Sequence, residues 1–171
     1  MAALAGLGKR AGPAHMGGMT KSLITHLAFL ILCLAVGAAG GWATSLSVHD
    51  WYLTLAKPPF NPPGWVFGPV WTALYVMMAV AAARVFLQRG WGREMGLFLA
   101  QLALNCLWSF LFFALKSPGL ALLDIFPLWL LILLTLKAFW PVDRLSGGLL
   151  VPYLAWVSFA IVLNASIWWL N

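Results

Sequence analysis

Acidic residues are almost missing from this sequence. Four Asp or Glu stand in 171 residues against ten Lys or Arg, and charged residues make up 8% of the chain. A soluble domain carries about a quarter charged residues, so this chain cannot cover a water-facing surface. Cysteine is scarce too. Cys33 and Cys106 both sit inside apolar runs, where they read as small core residues and not as a disulfide or a metal pair. His15, His26 and His49 show no ligand spacing with them. No metal cluster, nucleophile triad, phosphate loop or catalytic acid–base pair can be found. The net charge of +6 does not point to nucleic acid, because the basic residues lie scattered at the ends of apolar runs, where they act as topology signals.

What the chain has in abundance is apolar length: 63% of it is hydrophobic. A hydrocarbon core about 30 Å thick needs roughly 20 mostly apolar residues per helical span. The alternating pattern of a membrane barrel is absent, which leaves helices to satisfy the backbone in lipid. The expected fold is therefore an all-α integral membrane protein, a bundle of five transmembrane helices. The spans are placed at 23–42, 65–87, 95–115, 120–140 and 149–170, behind a flexible tail over 1–22. A signal peptide is the rival reading of the first span, since a basic start precedes an apolar run with small residues near 36–39.

Basic residues orient the bundle. Lys9, Arg10, Lys21, Arg84, Arg89, Arg93, Lys137 and Arg144 fall on one side, and only Lys57 and Lys116 on the other. That eight-to-two bias places the N-terminus in the cytoplasm if the membrane is of the inner type. It also requires an odd number of spans.

The first connection, 43–64, is the longest. It holds Trp51-Tyr52 and then Lys57-Pro58-Pro59-Phe60-Asn61-Pro62-Pro63-Gly64-Trp65. Four prolines remove four backbone donors and fix φ near the polyproline value. The stretch is a stiff extended cover, read either as an interfacial loop with an aromatic belt or as a lid over a cavity between helices.

Three spans carry polar-aromatic stripes at helical spacing: Trp71, Tyr75 and Met78; Gln101, Asn105, Trp108 and Phe112; Trp156, Ala160 and Asn164. Amides facing lipid are costly, so Gln101, Asn105 and Asn164 should face the interior. They either glue helices together or line a cavity. Eleven tryptophans exceed what packing needs and suit a flat aromatic ligand. Asp124, early in the fourth span, reads as an interfacial cap near Lys116 and Ser117. Pro127 and Pro152 should bend their helices. Gly37 and Gly41, and Gly96, Ala100 and Ala103, form small-residue stripes suited to close helix contact or a dimer face.

Three blocks carry a family resemblance: WYLTLAKPPFNPPGWVFGPVWTALY (51–75), QLALNCLWSFLFF (101–113) and PYLAWVSFAIVLN (152–164). Together they resemble the translocator protein family, also called tryptophan-rich sensory proteins, TspO/MBR or peripheral-type benzodiazepine receptors. The resemblance covers about 42–171. It implies a five-helix bundle, usually a homodimer, that binds porphyrin-type tetrapyrroles, some sterols and synthetic aromatic ligands in a cavity closed by the first loop. The matching ligand-binding positions are Tyr52, Trp71, Tyr75, Asn105, Trp108, Trp156, Ala160 and Asn164. No cofactor and no metal are implied.

The resemblance also implies two alternatives to a receptor, sensor or carrier. One is a light-dependent porphyrin-degrading enzyme, with Trp71 and Trp156 as the reactive residues. The other is a lipid or sterol transporter or scaffold. The Tyr-Arg pair of sterol-binding members is missing from the last helix, where Asn164-Ala165-Ser166-Ile167-Trp168-Trp169 stands. The loose sterol pattern occurs once, at Leu46, Tyr52 and Lys57 in the loop. A bacterial member in a bacterial membrane fits better than an animal one. On this reading the ligand stacks on Trp71, Trp108 and Trp156, while Asn105 and Asn164 orient its polar groups.

Overall fold

Prolines, glycines and short polar side chains set the ends of the helices. The computed structural model describes residues 13–171, with side chains from residue 18 on. Helix α1 spans Pro13–Ser45, and a single turn, α2, covers Trp51–Thr54. Helix α3 (Gly64–Arg89) starts directly after Pro62-Pro63 and stops at Gly90, whose φ of 68° only glycine adopts without strain. Helix α4 (Arg93–Ser109) continues into a π-helical turn, Phe110–Ala114. Ser117 caps α5 (Pro118–Phe139) by accepting from the Leu120 N–H. Helices α6 (Arg144–Leu149) and α7 (Val151–Leu170) run on from one another.

Among the described residues, five stretches are long and apolar enough to cross a bilayer: Gly18–Ser45, Gly64–Arg89, Arg93–Ala114, Pro118–Phe139 and Arg144–Leu170. The chain is a multi-pass integral membrane protein, and no strand occurs among the described residues. Spans two to four lie within two residues of the sequence reading, and the fifth gains α6 at its start. The first differs most. Its apolar helix begins at Gly18 and the helix itself at Pro13, so 13–22 are helical rather than tail. Residues 1–12 of the expected tail lie outside the described residues.

Helix α1 packs on α3 and α4, and α5 packs on α4 and α7. The half of the bundle carrying Arg84, Arg89, Arg93, Lys137 and Arg144 is solid. Ala81, Ala82 and Ala83 are all fully buried. Consecutive helical residues point about 100° apart, so α3 is enclosed on every side at that level. Met95, Phe98, Phe139 and Tyr153 complete this packed end. It is locked by Arg84, which donates to Asp143 through Nε (2.7 Å) and Nη2 (3.1 Å). Asp143 in turn caps α6 through the Ser146 N–H and hydroxyl. The Arg84 guanidinium, and then Ser146, hold the Asp143 carboxyl well below the usual carboxylate range, so the clamp stays ionised at neutral pH.

Two local readings change. Asp124 is no cap: it is buried in the second turn of α5 with Oδ2 unpartnered, while Ser117 caps and Lys116 Nζ reaches Asp50 at 3.9 Å. Pro152 stands at the start of α7 and not in its interior, where a proline fits without a lost hydrogen bond.

Candidate functional site: an aromatic cavity beneath the first loop

The half of the bundle opposite the packed end is hollow. A cavity of about 520 Å³ lies among α1, α3, α4, α5 and α7 under the 46–63 loop, within the range of small-molecule pockets, roughly 300–1,000 Å³. All eight sequence-selected residues line it: Tyr52, Trp71, Tyr75, Asn105, Trp108, Trp156, Ala160 and Asn164. Among the described residues, no charged residue, histidine or cysteine does.

The floor is a directed hydrogen-bond chain. Tyr75 Oη donates to Asn105 Oδ1 (2.5 Å), Asn105 Nδ2 to Tyr153 Oη (3.0 Å), and Tyr153 Oη to Gln101 Oε1 (2.9 Å). One chain thus ties α3, α4 and α7. Such groups must find partners inside lipid-embedded protein. Trp71 rests on this floor, 5.7 Å from the Tyr75 ring and 6.3 Å from the Tyr153 ring. Gly37 makes room for the Tyr75 ring, from which a Cβ there would lie 2.7 Å away. Of the first small-residue stripe, Gly37 is thus a close contact with a side chain of α3. Gly96, Ala100 and Ala103 instead lie exposed on the outer face of α4.

One wall is held by Asn164, which accepts from Trp108 Nε1 (3.0 Å) and donates to the Pro118 carbonyl (2.8 Å). The sequence reading gave Asn105 and Asn164 to the polar groups of a ligand. Both are almost fully buried and turned onto protein partners, so they aim the rings that form the surface. Trp156 lies between Phe67 (5.9 Å) and Phe159 (5.6 Å). Trp156 and Phe159 also line a second, outward groove between α3 and α7, bordered by Val70, Ala73, Pro152 and Ala155. Toward α1 the wall is thin. Ala38 and Gly41 of α1 and Gly68 and Thr72 of α3 line the cavity and are exposed, so it is open between these two helices.

The π-helical turn was not legible in the residues. Its wider winding brings the neighbours Phe112 and Phe113 to the cavity together, 4.8 Å apart. Phe112 stacks on Trp108 at 5.1 Å, and Phe113 meets the Tyr52 ring at 5.6 Å. The Phe113 carbonyl accepts from Ser47 Oγ at 2.8 Å, which anchors the loop. Tyr52 donates to Asn61 Oδ1 (3.2 Å) and carries Lys57 Nζ 4.6 Å above its ring. Burial raises the Tyr52 phenol above its ordinary pKa, so it serves as a neutral donor. The loop is folded back on itself and roofs the cavity. Ahead of its proline stretch it contains the α2 turn, Trp51–Thr54, which the sequence reading did not include.

Residues 29–170 match the TspO/MBR family. The chain is 47% identical over 158 residues to the tryptophan-rich protein TspO of Chlorobaculum tepidum, covering 90% of this chain and 99% of that one. It is 41% identical over 136 residues to the tryptophan-rich sensory protein of Cereibacter sphaeroides, covering 80% and 86%. It is 39% identical over 123 residues to the translocator protein of Homo sapiens, covering 69% and 73%.

Proposed function

The chain belongs to the TspO/MBR family, and we propose that it is a membrane receptor or carrier that binds porphyrin-type tetrapyrroles in the cavity beneath the first loop. The carrying observation is the cavity's surface: indole, phenol and phenyl rings over a floor whose polar groups are paired with one another, with Asn105 and Asn164 already committed to holding those rings. A planar aromatic ligand gains stacking and apolar burial there, about 0.5–1.5 kcal/mol per ring pair beyond area. The lining holds no cation, so acidic groups of a tetrapyrrole stay at the mouth, on the Lys57 side. The opening between α1 and α3 suits a ligand that partitions into the bilayer.

In a membrane of the inner type, the charge bias supports an N-terminus in the cytoplasm and a roofed cavity on the opposite side. A homodimer fits the exposed small-residue face of α4. The enzymatic reading is less favoured, because the lining offers no carboxylate, imidazole or thiol to move a proton.

Titration with protoporphyrin IX, followed by tryptophan quenching, tests the reading. Trp71→Ala and Trp156→Ala together are expected to weaken binding about 100-fold, from two lost stacking surfaces. Unchanged affinity in the double variant would remove the site.

A further inference from the structure

We propose that Asn171 is the latch of the lid, a positioning residue that holds the middle of the first loop over the cavity. Its side-chain Oδ1 accepts from the Ala56 N–H at 2.9 Å, and its Nδ2 donates to the Ala56 carbonyl at 3.1 Å. The same Nδ2 donates to the Ile167 carbonyl at 2.8 Å. One planar amide thus satisfies a free carbonyl in the last turn of α7. It also pairs with both backbone groups of one loop residue, as a neighbouring strand would.

The lid needs this tie because of its own composition. Its first half is anchored by Ser47 on Phe113 and by the Trp51 and Tyr52 rings against Phe112. Its second half, 55–62, contains three prolines, which cannot donate. Asn61 turns inward to the Pro58 carbonyl, to Tyr52 and to Pro62. Lys57 turns back to the Leu55 carbonyl at 3.0 Å. Among the described residues, Ala56 makes the only hydrogen bonds from 55–62 to a membrane-spanning helix or its end, both to Asn171 just past α7, whereas Asn61 and Lys57 reach only the α2 turn and the loop itself. Ala56 and Asn171 are exposed. The tie therefore breaks and re-forms against water without disturbing the packed half of the bundle.

A side chain must donate and accept at once to make this pair. Asp keeps only the acceptor, and Ala has neither. The latch sets how often the lid opens, while the rings beneath set how tightly a ligand is held. Only the ligand arm of the test rests on the tetrapyrrole reading.

The test uses the full chain in lipid nanodiscs. Hydrogen exchange of the ligand-free protein comes first. Asn171→Ala is expected to speed exchange across 53–61 by about tenfold, the worth of one or two exposed hydrogen bonds, with α3 and α4 unchanged. Asn171→Asp should fall between. Unchanged lid exchange in Asn171→Ala overturns the latch, and so does a loss of protection that runs through α7, which would make Asn171 a helix cap alone. Stopped-flow mixing with protoporphyrin IX follows. Association and dissociation rates should rise together, with affinity within about twofold, since an open lid exposes an unaltered site. A faster lid with unchanged porphyrin rates would leave the latch in place and remove the tetrapyrrole site beneath it.

Discussion

Ala160→Trp is expected to abolish high-affinity protoporphyrin IX binding, by about 100-fold or more, while leaving the fold intact. Ala160 stands on α7 at the cavity wall, half-buried. An indole at this position enters empty space, not packed core, so overpacking strain is small. It takes the volume a planar ligand must occupy, and a clash or displacement of 1–3 kcal/mol or more translates to the stated loss. Ala155→Trp is the matched control. Ala155 lies on the same helix but faces the outward groove and is exposed, so its indole projects away from the cavity. Binding in that variant should stay within about threefold of the parent, as expected of a surface change. Equilibrium titration of both, with circular dichroism to check helix content, reads the result.

Asn105→Ala is expected to lower stability by about 2 kcal/mol, through two tyrosine hydroxyls that lose a partner at once. The substitution strips the acceptor from Tyr75 Oη and the donor from Tyr153 Oη at one stroke. Buried unpaired groups cost about 1–3 kcal/mol each, but single interhelical hydrogen bonds in membranes average about 0.6 kcal/mol. The estimate sits between these because Tyr75 borders the cavity and can relax into it, whereas Tyr153 is fully enclosed. Thr72→Ala provides the contrast. Its hydroxyl bonds only the Gly68 carbonyl of its own helix, at 2.9 Å and exposed, so its loss should stay within about 0.5 kcal/mol. Thermal unfolding in detergent compares the two.

The spans were legible because lipid imposes a length, and because arginine, proline and glycine mark where that length ends. Arg89-Gly90 and Arg93 bracket one turn, and Ser117-Pro118 opens another. The cavity stripes were legible because a tryptophan that shares a helical stripe with a phenol or an amide is hard to reconcile with a lipid-facing surface. Trp71 with Tyr75, Asn105 with Trp108, and Trp156 with Asn164 all converge on one space. What stayed hidden depends on partners far apart in the chain. Nothing near Asn164 says that it holds Trp108 and the Pro118 carbonyl. Nothing near Asn171 says that it meets Ala56. The π-helical turn is hidden for a different reason: a change of winding over five residues leaves no periodicity to read. Asp124 departs from the cap reading because closeness to a helix start does not fix closeness to water: it is buried although it stands in the second turn of α5.

The central claim is that a planar aromatic ligand sits inside the bundle, under the lid, and not on its outer face. Photoaffinity labelling with a diazirine-bearing porphyrin in lipid nanodiscs, followed by residue-level mass spectrometry, tests it most directly. The expected adducts fall on Tyr52, Trp71 and Ala160, from three separate elements around the same space. Adducts confined to Val70, Ala73 and Ala155, which border the outward groove between α3 and α7, would contradict it.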